Sequence, residues 1–478
     1  MEQKTAAWIA QAVGGEILCG NGSVLVTDIC TDSRKASAGD LYVPILGAQV
    51  DGHAFIGSAL AAGAAASFTS EHDSAEAALE TAGETGGVLI RVADTRAALQ
   101  RLGGECRRLL TIPFAGVTGS VGKTSTRSMI ATALSAGLRV FQTEGNANSQ
   151  VGVPITLSRA GREAEAAVIE LGVSDPGEMT RIASIAGLQI AVITNIGISH
   201  IEQLGSREGI LREKLHITDG LSQDGVLLLN GDDDLLHPDN LPEVSELTAC
   251  KKKFKTLYYG MGKHNDYRAD HVRIEDGRTV FTLLYEGGRA EAALPVVGLH
   301  HVKNALAALA CADLLGVPME KAVEALSHFA GVAHRQERIF LPSQEISVID
   351  DSYNASPDSM RAAFTTLAMT ENAGRKLAVL ADMWELGPQT EQYHYEVGQA
   401  LGATDVSVLI TVGTLARKIA QGAKAVKPDL LVYSFDDRFE AERFLTKNRQ
   451  PGDLLLLKGS NGMKLFEIVE EWKRRENR

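Results

Sequence analysis

The residues best suited to chemistry lie in a glycine-rich segment, Gly116 to Thr124, which ends in lysine and threonine. The segment follows a short apolar run and precedes a helical pattern, a position in which glycines let backbone N–H groups point at phosphate oxygens. Lys123 could then reach the β- and γ-phosphates of a nucleotide, and the Thr124 hydroxyl could bind Mg²⁺. The segment predicts a phosphate-binding loop, although an ordinary glycine-rich turn has a similar composition.

This loop matches only the later part of the general phosphate-loop pattern, and it does not identify the reaction. Val117 stands where that pattern has its first glycine. Motors, GTPases, kinases and ligases all bind nucleotides with such a loop. The sequence has no Asn-Lys-x-Asp motif, which would indicate guanine recognition.

Three further residues are candidates for handling charge. Glu170 ends the apolar run that begins at Ala167, and a carboxylate at a strand end near a phosphate loop can bind Mg²⁺. His200 follows the next run, but imidazole is an unusual Mg²⁺ ligand and a lone histidine is more often structural. Lys214 adjoins Glu213 on a predicted helix, where the pattern favours a surface lysine paired with an acid.

A second polar cluster closes a candidate strand in the last third of the chain. Asp350 to Ala355 precede Pro357, a residue typical of a helix start. Polar side chains at such a strand end can contact a ligand, but Asp, Ser and Asn also cap helices, so both interpretations stay open. Lys458 closes the last candidate strand in the same way.

Short apolar runs alternate with helical patterns around these residues, as in Ser125 to Leu138. The candidate strands of the middle part are 114–117, 167–171, 190–196 and 226–229, and those of the last part are 346–349, 377–380, 406–412, 430–433 and 454–457. Strands that alternate with helices predict mostly parallel sheets covered on both faces. Two such sheets that face each other would form a cleft for ligands.

The chain has 478 residues, which at roughly 100–200 residues per domain predicts about three domains. We predict an α/β protein with a small N-terminal α/β substrate domain over 1–107 and a central parallel sheet of the P-loop ATPase type over 108–337. A C-terminal Rossmann-like α/β domain is predicted over 338–478. The first part has no acid–base cluster, so we expect a binding role there.

The composition excludes several other classes of protein. A formal net charge of −13 argues against a nucleic-acid binder, which needs a basic face. Five cysteines without a Cys-x-x-Cys pair predict reduced thiols instead of a disulfide framework. The sequence has no signal-peptide pattern and no apolar stretch near the roughly 20 residues of a membrane span. We therefore expect a cytoplasmic protein without a membrane span.

These segments together resemble the Mur ligases, which extend the peptide of the bacterial cell-wall precursor. The resemblance covers essentially the whole chain in order, and the family's ATP loop also lacks the earlier glycine. Asp350 to Pro357 and Asp382 to Gly387 are most similar to the branch that adds D-alanyl-D-alanine to UDP-N-acetylmuramoyl-tripeptide (UDP-MurNAc-tripeptide). The resemblance implies an ATP- and Mg²⁺-dependent amide ligase of peptidoglycan synthesis that forms an acyl phosphate. We expect D-Ala-D-Ala and UDP-MurNAc-tripeptide as substrates and a monomeric protein.

The resemblance also implies roles for individual residues. The implied ATP contacts are Gly119, Ser120, Val121, Gly122, Lys123, Thr124, Ser125, Asn304, Arg335 and Asp351. The implied catalytic residues are Lys123, Glu170, His200 and Lys214, and the implied Mg²⁺ ligands are Thr124, Glu170 and His200. The implied substrate contacts are Ser33 and Arg34 for the uridine diphosphate, Asn146 and Asn148 for the muramoyl peptide, and Asn354.

Some alternatives stay open after the resemblance. Lys214 matches a lysine that carries a carbamate, formed with CO₂, in several Mur ligases but not in all. Ser356 stands where the family pattern has asparagine, which argues against a substrate role at that position. Another ligase of the superfamily, such as a folylpolyglutamate synthase, is one alternative function. An ATPase that drives conformational work is the alternative of a different class.

Overall fold

The computed structural model describes residues 1–47, 50–70, 75–248, 250 and 252–476. These residues form an α/β protein with three large sheets in succession along the chain, which confirms the predicted fold class. All five cysteines lie in the described ranges and are free thiols, as predicted. No helix within these ranges is long and apolar enough to cross a membrane.

The N-terminal sheet is mixed. Its described strands have the order Glu16–Cys19, Val88–Arg91, Ala66–Thr69, Asp40–Tyr42 and Asp28–Cys30. The first strand in this order runs antiparallel to its neighbour, and the later neighbours are parallel. The helices of this part are Ala6–Val13, Ile56–Ala61, Ala75–Thr85 and Thr95–Arg108, and a short ladder joins Lys4–Thr5 to Leu25–Val26.

The central sheet is mostly parallel, as predicted. Its described strands have the order Val140–Gln142, Ala166–Glu170, Phe114–Thr118, Leu188–Ile193, Leu221–Asn230, Lys255–Gly260, Tyr267–Glu275, Arg278–Tyr285 and Gly288–Leu294. The last two strands extend the sheet in antiparallel pairing, which the sequence pattern did not predict. The helices here are Lys123–Leu134, Gly152–Arg159, Glu178–Ala186, Ile201–Leu204, Arg207–Leu215, Val244–Leu247, Leu299–Leu314 and Met319–Leu326.

The C-terminal sheet is parallel except at one edge. Its described strands have the order Glu337–Leu341, Ile346–Asp350, Leu454–Lys458, Lys376–Ala381, Val408–Val412 and Leu431–Phe435, and the first two are antiparallel. Its helices are Pro357–Met369, Thr390–Gly402, Ala416–Val426, Arg438–Asn448 and Phe466–Glu476. The strands predicted in this part are present, with ends displaced by a few residues.

Helices cover both faces of the central sheet, and its inner strands are buried as a result. Along the strand Ala166–Glu170 every residue is buried, and successive side chains point to opposite faces. Val168 belongs to the apolar cluster that contains Met129, while Ile169 belongs to the cluster on the other face with Met179. A strand covered on both faces reads as a continuous apolar run, which explains why its sequence signal was strong.

Candidate active site

A cleft of about 420 Å³ lies between the central and C-terminal sheets. The glycine-rich loop lines it from the central side, and the segment after the strand Ile346–Asp350 lines it from the C-terminal side. The loop follows the carboxyl end of its strand, as does the segment after Asp350, and open α/β sheets bind ligands at such ends. The cleft is therefore the candidate site.

The glycine-rich loop joins the strand Phe114–Thr118 to the helix Lys123–Leu134, as predicted. Gly119 has φ = 150°, and a Cβ atom there would lie 1.8 Å from Thr194 Oγ1. Gly122, at φ = 81°, occupies the position just before the helix. The loop backbone therefore requires glycine at 119 for space and at 122 for its left-handed conformation.

Thr194 and Asn195 brace this loop from the neighbouring strand. The backbone N–H of Val121 donates to Asn195 Oδ1 at 3.0 Å, and Asn195 Nδ2 donates to the Val121 carbonyl at 3.1 Å. Thr194 Oγ1 donates to the same carbonyl at 2.6 Å. Because these residues turn toward the loop, the strand ends at Ile193 and not at the predicted position 196.

Lys123 bends over its own loop. Its Nζ donates to the Gly119 carbonyl at 2.8 Å, so the ammonium lies at the loop that would receive phosphate. Burial lowers the pKa of Lys123, an effect that the negative charge of Glu170 opposes and the positive charge of Arg335 reinforces. Lys123 thus lies in a partly desolvated position, where the interaction of its side chain with an anion is stronger than in water.

Two buried oxygens near the loop fit a hard cation. Thr124 Oγ1 and Glu170 Oε2 have no hydrogen-bond partner among the described residues. The other oxygen, Glu170 Oε1, accepts from Asn148 Nδ2 at 2.7 Å, and Arg127 Nε lies 3.6 Å from Oε2. Unpartnered buried oxygens are costly, and oxygen is the ligand atom that Mg²⁺ prefers. These residues fit Mg²⁺.

His200 lines the cleft and contacts the C-terminal part. It has a left-handed backbone, with φ = 62° and ψ = 25°, directly before the helix Ile201–Leu204. Its Nδ1 lies 2.8 Å from Glu385 Oε2, at ion-pair distance although without the alignment of a hydrogen bond. The interaction with His200 lowers the pKa of Glu385.

Lys214 is buried, so the interpretation as a surface lysine is wrong. Its residue exposure is 1%, and it does not line the cleft. The adjacent Glu213 carboxylate accepts the backbone N–H groups of Gly177 and Met179, each at 2.8 Å. Burial lowers the pKa of Lys214 well below its usual value, and the charge of Lys123 adds to the effect. The sequence pattern of the helix Arg207–Leu215 could not show that other segments cover the face that carries Lys214.

The C-terminal wall of the cleft carries a buried ion pair. Lys458 Nζ lies 2.8 Å from Asp351 Oδ2 and donates to the Asn354 carbonyl at 3.0 Å. Burial raises the pKa of Asp351, although Lys458 opposes that shift. The guanidinium of Arg335 lies 4.1 Å from the centre of the Tyr353 ring, which holds it beside this pair. Cations thus face the cleft opposite the loop.

The polar residues after the strand Ile346–Asp350 lie in two settings, the lining of the cleft and the turn that leads to the next helix. Asp351 and Asn354 line the cleft. Asp350 instead accepts hydrogen bonds from the backbone N–H and side chain of Ser352. Ser356, the residue after the cluster, caps the helix Pro357–Met369 and also lines the cleft.

The helix Leu299–Leu314 forms another wall of the cleft. Asn304 lines it, and its Oδ1 accepts a hydrogen bond from Thr126 Oγ1 at 3.0 Å, which ties this helix to the one after the loop. His300 and His301 also line the cleft, although no sequence pattern had indicated them separately. Burial lowers the pKa of His300 to about 4, so its ring is neutral near neutral pH.

The structure brings most of the predicted site residues to one cleft. Those that line it are Ser120, Val121, Gly122, Lys123, Thr124, Ser125, Asn146, Asn148, Glu170, His200, Asn304, Arg335, Asp351 and Asn354. Those outside its lining are Ser33, Arg34, Gly119 and Lys214. Gly119 still contributes its carbonyl, which accepts from the lysine of the loop.

Ser33 and Arg34 lie in the N-terminal part, in the short helix Ser33–Lys35. Arg34 is exposed, and its Nε and Nη2 each lie 2.8 Å from a carboxylate oxygen of Asp32. This bidentate contact lowers the pKa of Asp32 to about 2. The guanidinium therefore stands at the surface near the carboxyl end of the strand Asp28–Cys30, apart from the cleft.

Three family models match successive parts of the chain. The model described as Mur ligase family, catalytic domain, matches residues 25–105, and the Mur ligase middle domain matches residues 117–312. The model described as Mur ligase, glutamate ligase domain, matches residues 334–461. The three matches follow the order of the three sheets.

Proteins similar over their whole length are also known. The UDP-N-acetylmuramoyl-tripeptide–D-alanyl-D-alanine ligase of Bacillus subtilis is 36% identical over 472 residues, which is 98% of each chain. The crystal structure of MurF from Acinetobacter baumannii has a TM-score of 0.86 and 29% identity and covers 99% of each chain. The MurF ligase from Thermotoga maritima in complex with ADP shares the fold at 24% identity, with a TM-score of 0.79 over 95% of this chain and 98% of its own.

Proposed function

The chain belongs to the Mur ligase family, and we propose that it joins D-alanyl-D-alanine to UDP-MurNAc-tripeptide with consumption of ATP. The observation that carries the proposal is that one cleft is lined both by the phosphate loop and by Asp351, Arg335 and Lys458 of the C-terminal wall. The similarity to the Bacillus subtilis ligase of that name extends over 98% of both chains and supports the same substrates.

The proposed reaction has two steps. A carboxylate oxygen of the tripeptide attacks the γ-phosphorus of ATP, the bond to ADP breaks, and an acyl phosphate forms. The amine of D-Ala-D-Ala then attacks the acyl carbon, the carbon–oxygen bond to phosphate breaks, and the amine loses a proton. Neither step needs a protein nucleophile, so positioning and charge neutralisation supply the catalysis.

The phosphate loop and the C-terminal wall would divide this work. Backbone N–H groups of residues 119–124 and the ammonium of Lys123 would hold the β- and γ-phosphates. Arg335 would approach the same phosphates from the border between the central and C-terminal sheets. Asn304 and Asp351 would contact the nucleoside part of ATP. A closed cleft would also keep water from the acyl phosphate, which otherwise hydrolyses.

Mg²⁺ would be held by Thr124, Glu170 and His200. It would neutralise phosphate charge and bring the anionic carboxylate close to the phosphoryl group. The unpartnered oxygens Thr124 Oγ1 and Glu170 Oε2 support this set. The buried Lys214 is held toward its neutral amine, the form that reacts with CO₂, which supports the carbamate interpretation over a plain surface role.

We assign the remaining substrate contacts to the three proposed domains of the chain. We propose a UDP-sugar-binding domain over 1–107, an ATP-binding domain over 108–337 and a C-terminal ligase domain over 338–478. Ser33 and Arg34 would bind the uridine diphosphate, and Asn146, Asn148 and Asn354 would contact the peptide. We further propose that the enzyme acts in the cytoplasm as a monomer.

Product analysis tests this proposal. The purified protein is incubated with ATP, Mg²⁺, D-Ala-D-Ala and UDP-MurNAc-tripeptide carrying either lysine or diaminopimelate, and the products are identified by mass spectrometry. We expect a UDP-MurNAc-pentapeptide with one ADP formed per amide bond. ADP formation that is independent of both substrates would instead support the ATPase alternative. Activity on a folate and glutamate in place of these substrates would support the folylpolyglutamate synthase alternative.

A further inference from the structure

Glu385 meets the candidate metal ligand His200 from the opposite side of the cleft. His200 follows the central strand Leu188–Ile193, whereas Glu385 follows the C-terminal strand Lys376–Ala381. Glu385 Oε2 lies 2.8 Å from His200 Nδ1. The contact therefore joins two sheets, and any opening of the cleft that separates these segments would break it.

The segment that carries Glu385 is held firmly in place. The backbone N–H of Trp384 donates to Ser460 Oγ at 2.9 Å, and that of Met383 donates to His394 Nε2 at 2.9 Å. Glu385 itself has φ = 62°, a left-handed conformation that is unfavourable for a residue with a side chain. Such conformations persist where the surroundings enforce them, and they concentrate at functional sites.

His200 has the same unfavourable conformation, with φ = 62°. Two strained residues thus bring their side chains together across the cleft. The Glu385 side chain is 55% exposed, and an ion pair with one partner so exposed contributes little to stability, so stability alone is a weak reason to keep both residues strained. A carboxylate beside one ring nitrogen favours the proton on that nitrogen and leaves the other as a metal ligand.

We propose that Glu385 is a positioning residue, which orients the His200 ring so that its Nε2 is free to bind the metal when the C-terminal sheet closes on the central sheet. The inference rests on the Mg²⁺ use included in the proposed function. It goes beyond that function because it couples closure of the cleft to completion of the metal site. ATP bound in an open cleft would then lack the oriented histidine.

The test measures metal binding directly, with Mn²⁺ as a paramagnetic substitute for Mg²⁺. Free Mn²⁺ is followed by electron paramagnetic resonance in the presence of ADP, with and without protein. The variants are Glu385→Gln, which keeps the shape of the side chain and removes its charge, His200→Ala, and the double variant. Glu391→Gln is the matched control, because Glu391 is exposed, belongs to the same C-terminal part and pairs with Lys418 at 2.9 Å.

We expect Glu385→Gln to weaken Mn²⁺ binding about tenfold, the usual effect of losing a group that orients a metal ligand. The double variant should bind Mn²⁺ no more weakly than His200→Ala, because Glu385 acts through His200. Glu391→Gln should bind as the wild type does, and the melting temperatures of the two glutamine variants should agree.

Three results would overturn the inference. In the first, wild-type protein binds Mn²⁺ and Glu385→Gln binds it equally well, which leaves the proposed function intact. In the second, the losses of the two single variants multiply in the double variant, which would show that Glu385 acts independently of His200. In the third, the wild type binds no Mn²⁺ beyond that bound by ADP, which would contradict the Mg²⁺ site of the proposed function as well.

Discussion

Two lysines, Lys123 in the lining of the cleft and the buried Lys214, differ in how their charges are compensated. Lys123 donates to the Gly119 carbonyl and feels the negative charge of Glu170, so part of the cost of its burial is offset. The charge of Glu213 also opposes the shift at Lys214, but burial and the charge of Lys123 lower the pKa of Lys214 well below its usual value. At the scale of single residues, Lys123 is therefore placed to hold phosphate, whereas burial disfavours the protonated form of Lys214.

Replacement of the loop lysine should abolish most of the activity. In Lys123→Ala the transferring phosphoryl group loses a cation that neutralises its charge, and we expect the ligation rate to fall by about 10²–10³-fold, as on removal of one charge-stabilising group elsewhere. The rate is measured as ADP formed with both substrates saturating. Lys321→Ala, at an exposed helical position, is the control and should keep the wild-type rate. A near wild-type rate for Lys123→Ala would contradict the proposed role.

The buried Lys214 should make stability depend on pH. Its pKa in the folded protein lies below the unfolded value of about 10.4, so between the two values the unfolded chain binds more protons. The free energy of unfolding therefore rises with pH in that window. Lys214→Met removes this titration, and its advantage over the wild type should be larger at about pH 6 than at about pH 9.

Urea unfolding in CO₂-free buffer at both pH values measures this difference, because carbamate formation is then suppressed. Lys447→Met, at an exposed position, is the control and should show the same stability difference from the wild type at both pH values. A Lys214→Met advantage that does not change with pH would show that burial of this amine does not control its protonation.

At the scale of elements, the sequence was informative where a strand is covered on both faces. The strands Ala166–Glu170 and Leu454–Lys458 are buried along their whole length and were predicted from continuous apolar runs. The antiparallel extension over Tyr267–Leu294 was missed because its strands are half-exposed and contain charged residues. Where apolar and polar residues do not alternate clearly along a segment, the sequence is a poor predictor of a strand.

Contacts between segments that lie far apart in the chain could not be predicted from the sequence. The loop and the polar strand ends could be recognised, because their chemistry is local and strand order brings carboxyl ends together. The bracing of the loop by Asn195 and the approach of Glu385 to His200 depend on how strands and sheets pack. The burial of Lys214 is of the same kind, since it is set by elements packed on its helix.

The close approach of two strand ends at the loop predicts a strict requirement for glycine. In Gly119→Ala the new Cβ would lie 1.8 Å from Thr194 Oγ1, so the loop must shift. Its backbone N–H groups would then no longer point at the phosphate. We expect weaker ADP binding and a loss of stability of about 1–3 kcal/mol, as for other overpacked sites. Calorimetric titration with ADP and urea unfolding measure the two effects.

Gly83→Ala provides the matched control for this substitution. Gly83 lies in the helix Ala75–Thr85, and a Cβ there meets no heavy atom within 4 Å. Alanine also favours a helix over glycine, so this variant should gain about 0.5–1 kcal/mol and bind ADP as the wild type does. Equal ADP affinity for both alanine variants would contradict the proposed geometry of the loop.

At the scale of the whole molecule, the N-terminal part is attached to the central part by close apolar packing and by surface ion pairs. The helix Thr95–Arg108 packs on Gly152–Arg159, where a Cβ at Gly103 would lie 2.6 Å from Pro154 Cα. The ion pair between Arg159 and Asp28, at 2.9 Å, has both side chains about 40% exposed. Packing should therefore hold these parts together more than charge does.

A pair of variants distinguishes the two contributions. Gly103→Ala should destabilise the protein by about 1–3 kcal/mol because backbone atoms must separate. Arg159→Ala should change stability by less than about 1 kcal/mol, since exposed ion pairs are weak. Urea unfolding compares both with the wild type, and the reverse order of effects would mean that the ion pair is the main attachment.

The most direct test of ligation through an acyl phosphate follows the transfer of an oxygen atom from the tripeptide carboxylate to the released phosphate. UDP-MurNAc-tripeptide labelled with ¹⁸O in the reacting carboxylate is incubated with the protein, ATP, Mg²⁺ and D-Ala-D-Ala, and the released phosphate is analysed by mass spectrometry. The proposed reaction predicts one ¹⁸O atom in each phosphate and a UDP-MurNAc-pentapeptide in equal amount. Unlabelled phosphate, or phosphate released without the dipeptide product, would contradict it.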